Sequence, residues 1–313
     1  MRPDPPPLRF VSAARRCALI ACGCVLALPS APSAAPRSWA LALPSAPSAA
    51  SRSWALALPS APSAASRAGV LEQPPTVAKP EIDARLQASF QPYRLGARST
   101  LQFRFSFSAR GTTAPPPPLV QMQLRYPRGV NFFLNNLGIR RCARRVLEAS
   151  GPGGCPRDSV MGYGVVRTGV LLGSTEVEEN APITILRAPE EHGHLTLLFY
   201  AEGKDPVLTS VIFSGRLLSA KEPFGGSVRI GVPLVATLPG APYVSVLRLH
   251  ATIGPENLTY YRRRHGVSLA FRPTGILLPP ACLGRSFPFA AVFTFSSGAQ
   301  AKTKTSVPCP PPS

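Results

Sequence analysis

The amino-acid sequence predicts an all-β protein: an antiparallel β-sandwich, immunoglobulin-like or jelly-roll-like, with one short helix and a disordered N-terminal segment ahead of it. Three observations predict this. Apolar and polar residues alternate with period 2 through most of the chain beyond residue 81. The alternating runs are broken at short spacing by Gly, Pro or charged turns, as in a sandwich. The first 80 residues are rich in Ala, Pro and Ser and carry too little apolar surface to offset the entropy of ordering.

The N-terminal segment divides in two. Arg15 and Arg16 precede an uncharged apolar run, Cys17 to Leu28, which is followed by Pro29-Ser30-Ala31. That is the charged, apolar and small-residue order of a secretory signal peptide, expected over residues 1–40. A run of 12 apolar residues is short for a transmembrane helix, so no transmembrane anchor is expected after processing. Residues 41–80 form a linker. From Leu26 to Gly69 a 15-residue phrase, LALPSAPSAAPRSWA, is written almost three times, and we read it as a duplicated signal-peptide tail. Fifteen residues are too few to build a stacking repeat unit. The duplication leaves several small-residue cleavage sites, among them Ser33-Ala34-Ala35 before Pro36 and Ser48-Ala49-Ala50 before Ser51. Leu19-Ile20-Ala21-Cys22 adds a short lipobox as a rival to free secretion. Both tryptophans, Trp39 and Trp54, lie in the duplicated segment.

Residues 81–313 are expected to form the β domain, with room for two packed sub-domains. In Thr100 to Phe107, Leu101, Phe103, Phe105 and Phe107 face one way and Thr100, Gln102, Arg104 and Ser106 the other. A proline run, Pro115 to Pro118, separates this from Leu119 to Tyr126. Further strands are expected at Val160 to Leu172, Pro182 to Arg187, His194 to Tyr200, Thr209 to Leu217, Ser227 to Leu238, Val244 to Ile253, Val267 to Phe271 and Phe287 to Phe295. Ala299 to Val307 returns alongside the last, with Lys302 and Lys304 as charges that guard an edge. The helix is expected where Ile139, Cys142, Ala143, Val146 and Leu147 fall at helical spacing, with Arg140, Arg141, Arg144 and Arg145 on its other faces and Gly151-Pro152 ending it.

Of seven cysteines, Cys17, Cys22 and Cys24 lie in the signal peptide, leaving an even number for an oxidising compartment. Four cysteines allow three pairings. The local one, Cys142 with Cys155 and Cys282 with Cys309, is favoured because each pair brackets a self-contained element. None stands in a C-x-x-C spacing or beside a histidine, which argues against a zinc site.

The phrases Phe90 to Phe107, Cys142 to Gly164, Val232 to Gly254, Asn257 to Gly266 and FPFAAVFTFSSG with SVPCP resemble a family of secreted, β-rich proteins of soil actinobacteria. The likeness covers nearly all of the chain after about residue 81. It implies export, a β-rich fold and the two local disulfides, and it brings no activity with it.

The chemistry-bearing residues are few. From Arg67 onward there are 28 Lys plus Arg against 14 Asp plus Glu, an excess of 14 positive charges carried mostly by arginine. Such a balance suits an anionic partner, although a genome that favours arginine codons produces the same composition. The sharpest basic cluster is Tyr260, Tyr261, Arg262, Arg263 and Arg264, where rings and guanidiniums adjoin at an expected loop tip. Arg140, Arg141, Arg144 and Arg145 form a second patch. His192-Gly193-His194 after Glu190-Glu191 is the nearest approach to a metal set, but reads as a polar hairpin turn with no third ligand. Glu176 and Glu178 share a strand face at a spacing of about 7 Å that an inverting glycosidase would use, and that any acidic strand also shows. No G-x-S-x-G elbow, H-E-x-x-H or glycine-rich phosphate loop is present.

The expected role is therefore an exported, non-enzymatic protein, with no cofactor and no metal, that associates with the cell envelope or binds an anionic polymer, such as one of the envelope, through arginine-rich loops. Sequence-specific nucleic-acid recognition is not expected. The alternatives are a secreted hydrolase using Glu176 and Glu178, and a module that binds a partner through a free sheet edge.

Overall fold

A computed structural model describes residues 80–132, 137–204, 208–236 and 239–310; the expected signal peptide, the repeats and both tryptophans lie outside them. The strands in chain order are β1 (Ile82–Gln91), β2 (Arg98–Ala109), β3 (Leu119–Pro127), β4 (Asn131–Phe132), β5 (Val160–Leu172), β6 (Thr175–Arg187), β7 (Thr196–Gly203) and β8 (Thr209–Leu218). They continue with β9 (Phe224–Gly231), β10 (Ser245–Ile253), β11 (Tyr260–Arg264), β12 (Val267–Phe271), β13 (Ile276–Leu277), β14 (Ser286–Phe295) and β15 (Gln300–Pro308). One α-helix, α1 (Arg144–Ser150), lies between β4 and β5.

Thirteen strands form one continuous antiparallel sheet in the order β15-β14-β3-β9-β8-β7-β6-β5-β10-β2, with β1 on β2 and the two short strands β13 and β4 beyond the start of β2; β11 and β12 pair separately. The sheet is nearly closed, because its far strands β1 and β15 pack against each other. The expected all-β antiparallel class, with one helix, is what the chain adopts.

The alternation read from the sequence explains the core. Leu101, Phe103, Phe105 and Phe107 of β2 are buried, and so are Phe287, Phe289, Ala291, Phe293 and Phe295 of β14. The two faces meet. Phe105 stands edge-on to Phe293 at 5.5 Å, Phe107 to Phe293 at 4.7 Å and Phe103 to Phe289 at 5.8 Å. Edge-to-face contact of this kind adds about 0.5–1.5 kcal/mol per pair beyond the burial of area. Phe90 of β1 joins from the side, 5.7 Å from Phe287.

Both disulfides form in the local pairing, Cys142 to Cys155 with Cα atoms 5.3 Å apart and Cys282 to Cys309 with Cα atoms 6.3 Å apart. The helix is shorter than its periodicity suggests. Ile139 to Ala143 are not helical; Ala143 is extended, at φ −74° and ψ 139°, and α1 begins only at Arg144. The reason is tertiary: the Cys142 N–H donates to the Arg187 carbonyl at 2.8 Å, tying this stretch to the end of β6. Cys142 is nevertheless buried and reaches Cys155, and Gly151 caps α1 through its N–H to the Leu147 carbonyl.

Four elements differ from expectation. Strand β1 was missed because its fully buried residues, Ile82, Leu86 and Phe90, lie four apart with Ala84 and Ala88 between them, which blurs a period of 2. The acidic first half of β6, Thr175 to Ala181, is strand, held by β5 alone. Of the run expected to Leu238, which itself lies outside the described residues, the strand ends at Gly231, just ahead of Pro233, which has no N–H to give. The arginine cluster is a strand of a hairpin.

Candidate functional site

That hairpin is built from β11 and β12, with His265 and Gly266 as a turn at φ 49° and 79°. Positive φ at both central positions is the primed-turn geometry that matches the twist of paired strands. From Tyr261 to Ala270 every residue is exposed, so Arg262, Arg263 and Arg264 stand in solvent beside Tyr261, Val267 and Leu269. The Arg262 guanidinium lies over its own hairpin's Phe271 ring at 4.9 Å.

Tyr260 does something else. It was expected beside Tyr261 as a stacking ring, but it is 1% exposed. Its hydroxyl donates to the Val160 carbonyl and accepts from the Gly138 N–H at 3.0 Å. Alternation decides this: Tyr260 and Tyr261 must face opposite ways on β11. Burial pushes the Tyr260 phenol up to about 12.

The second expected patch is divided by the late start of α1. Arg140 and Arg141 precede the helix and Arg144 and Arg145 open it. Arg141 pairs with Glu190 at 3.0 Å. Arg144 pairs with Glu148 at 3.4 Å and donates to the Ile212 carbonyl at 3.3 Å. Two of the four guanidiniums are thus engaged by the chain itself.

A further basic surface was not visible in the sequence. On the outer face of the sheet, cross-strand register sets Arg85 (β1), Ser106 (β2), Arg248 (β10), Arg167 (β5) and Asn180 (β6) in one row. The adjoining row carries Gln87, Arg104 and His250. Neighbouring strands lie about 4.8 Å apart, so these side chains are within reach of one another. They line a surface depression of about 440 Å³. Arg167 donates to Glu178 at 2.7 Å; among the described residues, Arg85, Arg104 and Arg248 make no ion pair. Each arginine is a single outward residue on a different strand, and only the register brings them together.

The other candidates are placed as follows. Glu176 and Glu178 share the outward face of β6, as alternation requires, and Glu178 is held by Arg167. His192 and Gly193 turn a tight hairpin closed by hydrogen bonds in both directions between Glu191 and His194. Among the described residues no group of three or more His, Cys, Asp or Glu is placed to hold a metal ion. Among them, too, no helix is long and apolar enough to cross a membrane, which leaves membrane-crossing strands unaddressed. In comparison with known proteins, the chain matches no family model, no curated protein and no solved structure.

Proposed function

We propose that the protein is an exported, non-enzymatic binding protein that attaches to an anionic polymer of the cell envelope. The observation that carries this reading is the row of guanidiniums from Arg85 through Arg248 to Arg167, with Arg104 and His250 beside it, over an open depression. A rigid sheet holds these cations in place, so little ordering entropy is lost when an extended chain of phosphates or carboxylates lies across them. Guanidiniums suit the task because each can meet such a group with two parallel N–H donors. The Arg262 to Arg264 hairpin, exposed along its length, supplies a second contact. Export is supported by the N-terminal signal-peptide pattern and by the use of every later cysteine in a disulfide.

The test is sedimentation of the full chain with isolated envelope, and its retention on immobilised heparin, from about 50 to 200 mM salt. Retention is expected to fall steeply with salt, and a variant with Arg85, Arg104 and Arg248 changed to Ser is expected to elute earlier than one with Arg262, Arg263 and Arg264 changed to Ser. Failure of the unaltered chain to bind either material at the lowest salt sinks the proposal.

A further inference from the structure

A second feature of the fold faces inward and is independent of the arginines. On the concave side of the sheet lies a cavity of about 160 Å³. Its wall is mainly apolar: Val166, Val177, Ile183, Phe199, Phe213 and Ile230 stand for β5 to β9, and β3, β10 and the segment from Val232 to Val235 complete the lining. Phe199 and Phe213 stack at 5.1 Å and 6° to form a flat aromatic panel. Protein interiors hold few voids larger than a water molecule, and an unfilled apolar one of this size weakens a fold. The volume is close to the roughly 150 Å³ of an apolar cavity that stays dry and takes up benzene.

Strand pairing around the cavity is incomplete. Strand β8 pairs with β9 only from Gly215 to Leu218, so its first half, with Val211 and Phe213, has no partner strand on that side. Strands β6 and β7 part beyond the Ile183 and Ala201 pair. At that end stand the polar members of the wall, Thr168, Glu179 and Thr209. Glu179 bridges the gap by accepting the Lys204 N–H. It is the one acidic side chain among the residues that line the cavity. It also repels a second carboxylate.

We propose that this cavity binds one small apolar molecule of about six to eight carbons, whose polar end, next to Glu179, donates a hydrogen bond: an alkyl or aromatic alcohol or amine, and not a fatty carboxylate. The probes are hexan-1-ol, hexylammonium and hexanoate, titrated into the full chain while methyl resonances of Val166, Val177 and Ile183 are followed by NMR. Saturable shifts are expected with the alcohol and the amine, with hexanoate about tenfold or more weaker. Changing Glu179 to Gln is expected to bring hexanoate closer to hexan-1-ol. Changing Ala201 to Phe, or Ala181 to Leu as a gentler filling, is expected to abolish the shifts and leave the thermal midpoint equal or higher. Absence of saturable shifts, equal binding of all three probes, or unchanged binding in a folded filled variant overturns the proposal. None of these outcomes bears on retention by heparin or envelope.

Discussion

Residue by residue, Gly138 is a point held from several sides. Its N–H donates to the Tyr260 hydroxyl at 3.0 Å and its carbonyl accepts from Arg187 at 3.0 Å, so it joins the hairpin to the end of β6. It sits at φ 62°, and a methyl group there would lie 2.8 Å from Met161 Cγ. Gly138→Ala is expected to cost about 1–2 kcal/mol for the left-handed backbone and about 1–3 kcal/mol for overpacking, measured by urea unfolding. Tyr260→Phe leaves a buried N–H and a buried carbonyl without their hydroxyl, an expected loss of about 1–3 kcal/mol. The pH dependence has a definite sign. Burial raises the folded phenol from 10.0 to about 12, so its contribution is complete below pH 10.0 and is lost as pH rises through about 12. The stability difference between the native chain and Tyr260→Phe should therefore shrink across that interval; a constant difference would mean that Tyr260 ionises as it does in water.

At the scale of elements, the final hairpin joins pattern to covalent chemistry. β14 contributes five inward residues to the core, while β15 contributes Ala301 and Val307 and turns Lys302 and Lys304 to solvent. Hydrogen-bonded as a strand to β14 and packed at its side by β1, β15 also relies on the Cys282 to Cys309 bridge that closes its far end. Changing both cysteines to Ser should lower stability by about 3–4 kcal/mol if unfolded-chain entropy dominates. Hydrogen exchange should quicken in β15 before it does in β5 or β6; uniform acceleration would show that the bridge acts on the whole fold. This hairpin was legible from sequence because five aromatic or small apolar residues alternate without interruption. The helix was less so, since Ile139 and Cys142 fall at helical spacing while the hydrogen bond from Cys142 to Arg187 holds the backbone extended. The arginine face was illegible: Arg85 and Arg248 are more than 160 positions apart, and no local pattern records that both align with Ser106. Tyr260 stands between these cases, because alternation on β11 separates it from Tyr261 once that stretch is read as strand and not as a loop tip.

For the molecule as a whole, the nearly closed sheet makes β1 more important than its position suggests. It extends the arginine face with Arg85, buries Ile82, Leu86 and Phe90, and packs on β15, so that neither end of the sheet lies open along its full length. Its start is pinned by Arg110, whose side chain binds Glu81 and Asp83 and whose N–H donates to the Glu81 carbonyl at 2.9 Å. The guanidinium of Arg110 holds the Asp83 carboxyl below its ordinary range, yet both groups are exposed, and water screens the pair. The burial of three large apolar side chains, about 1.5–3 kcal/mol each, is the larger effect. Two truncations separate these contributions. A chain starting at residue 80 keeps every contact described for the sheet and should match the full chain in thermal midpoint. A chain starting at residue 92 exposes the length of β2 and the side of β15, two unpaired edges that invite pairing with another chain. It should unfold at a lower temperature and aggregate in proportion to its concentration, and it should elute earlier from heparin even where it remains folded, because Arg85 has gone with the strand. Equal stability of the two truncations would mean that β1 is an ornament on a sheet complete without it, and the closure of the fold would have to rest on β2 and β14 alone.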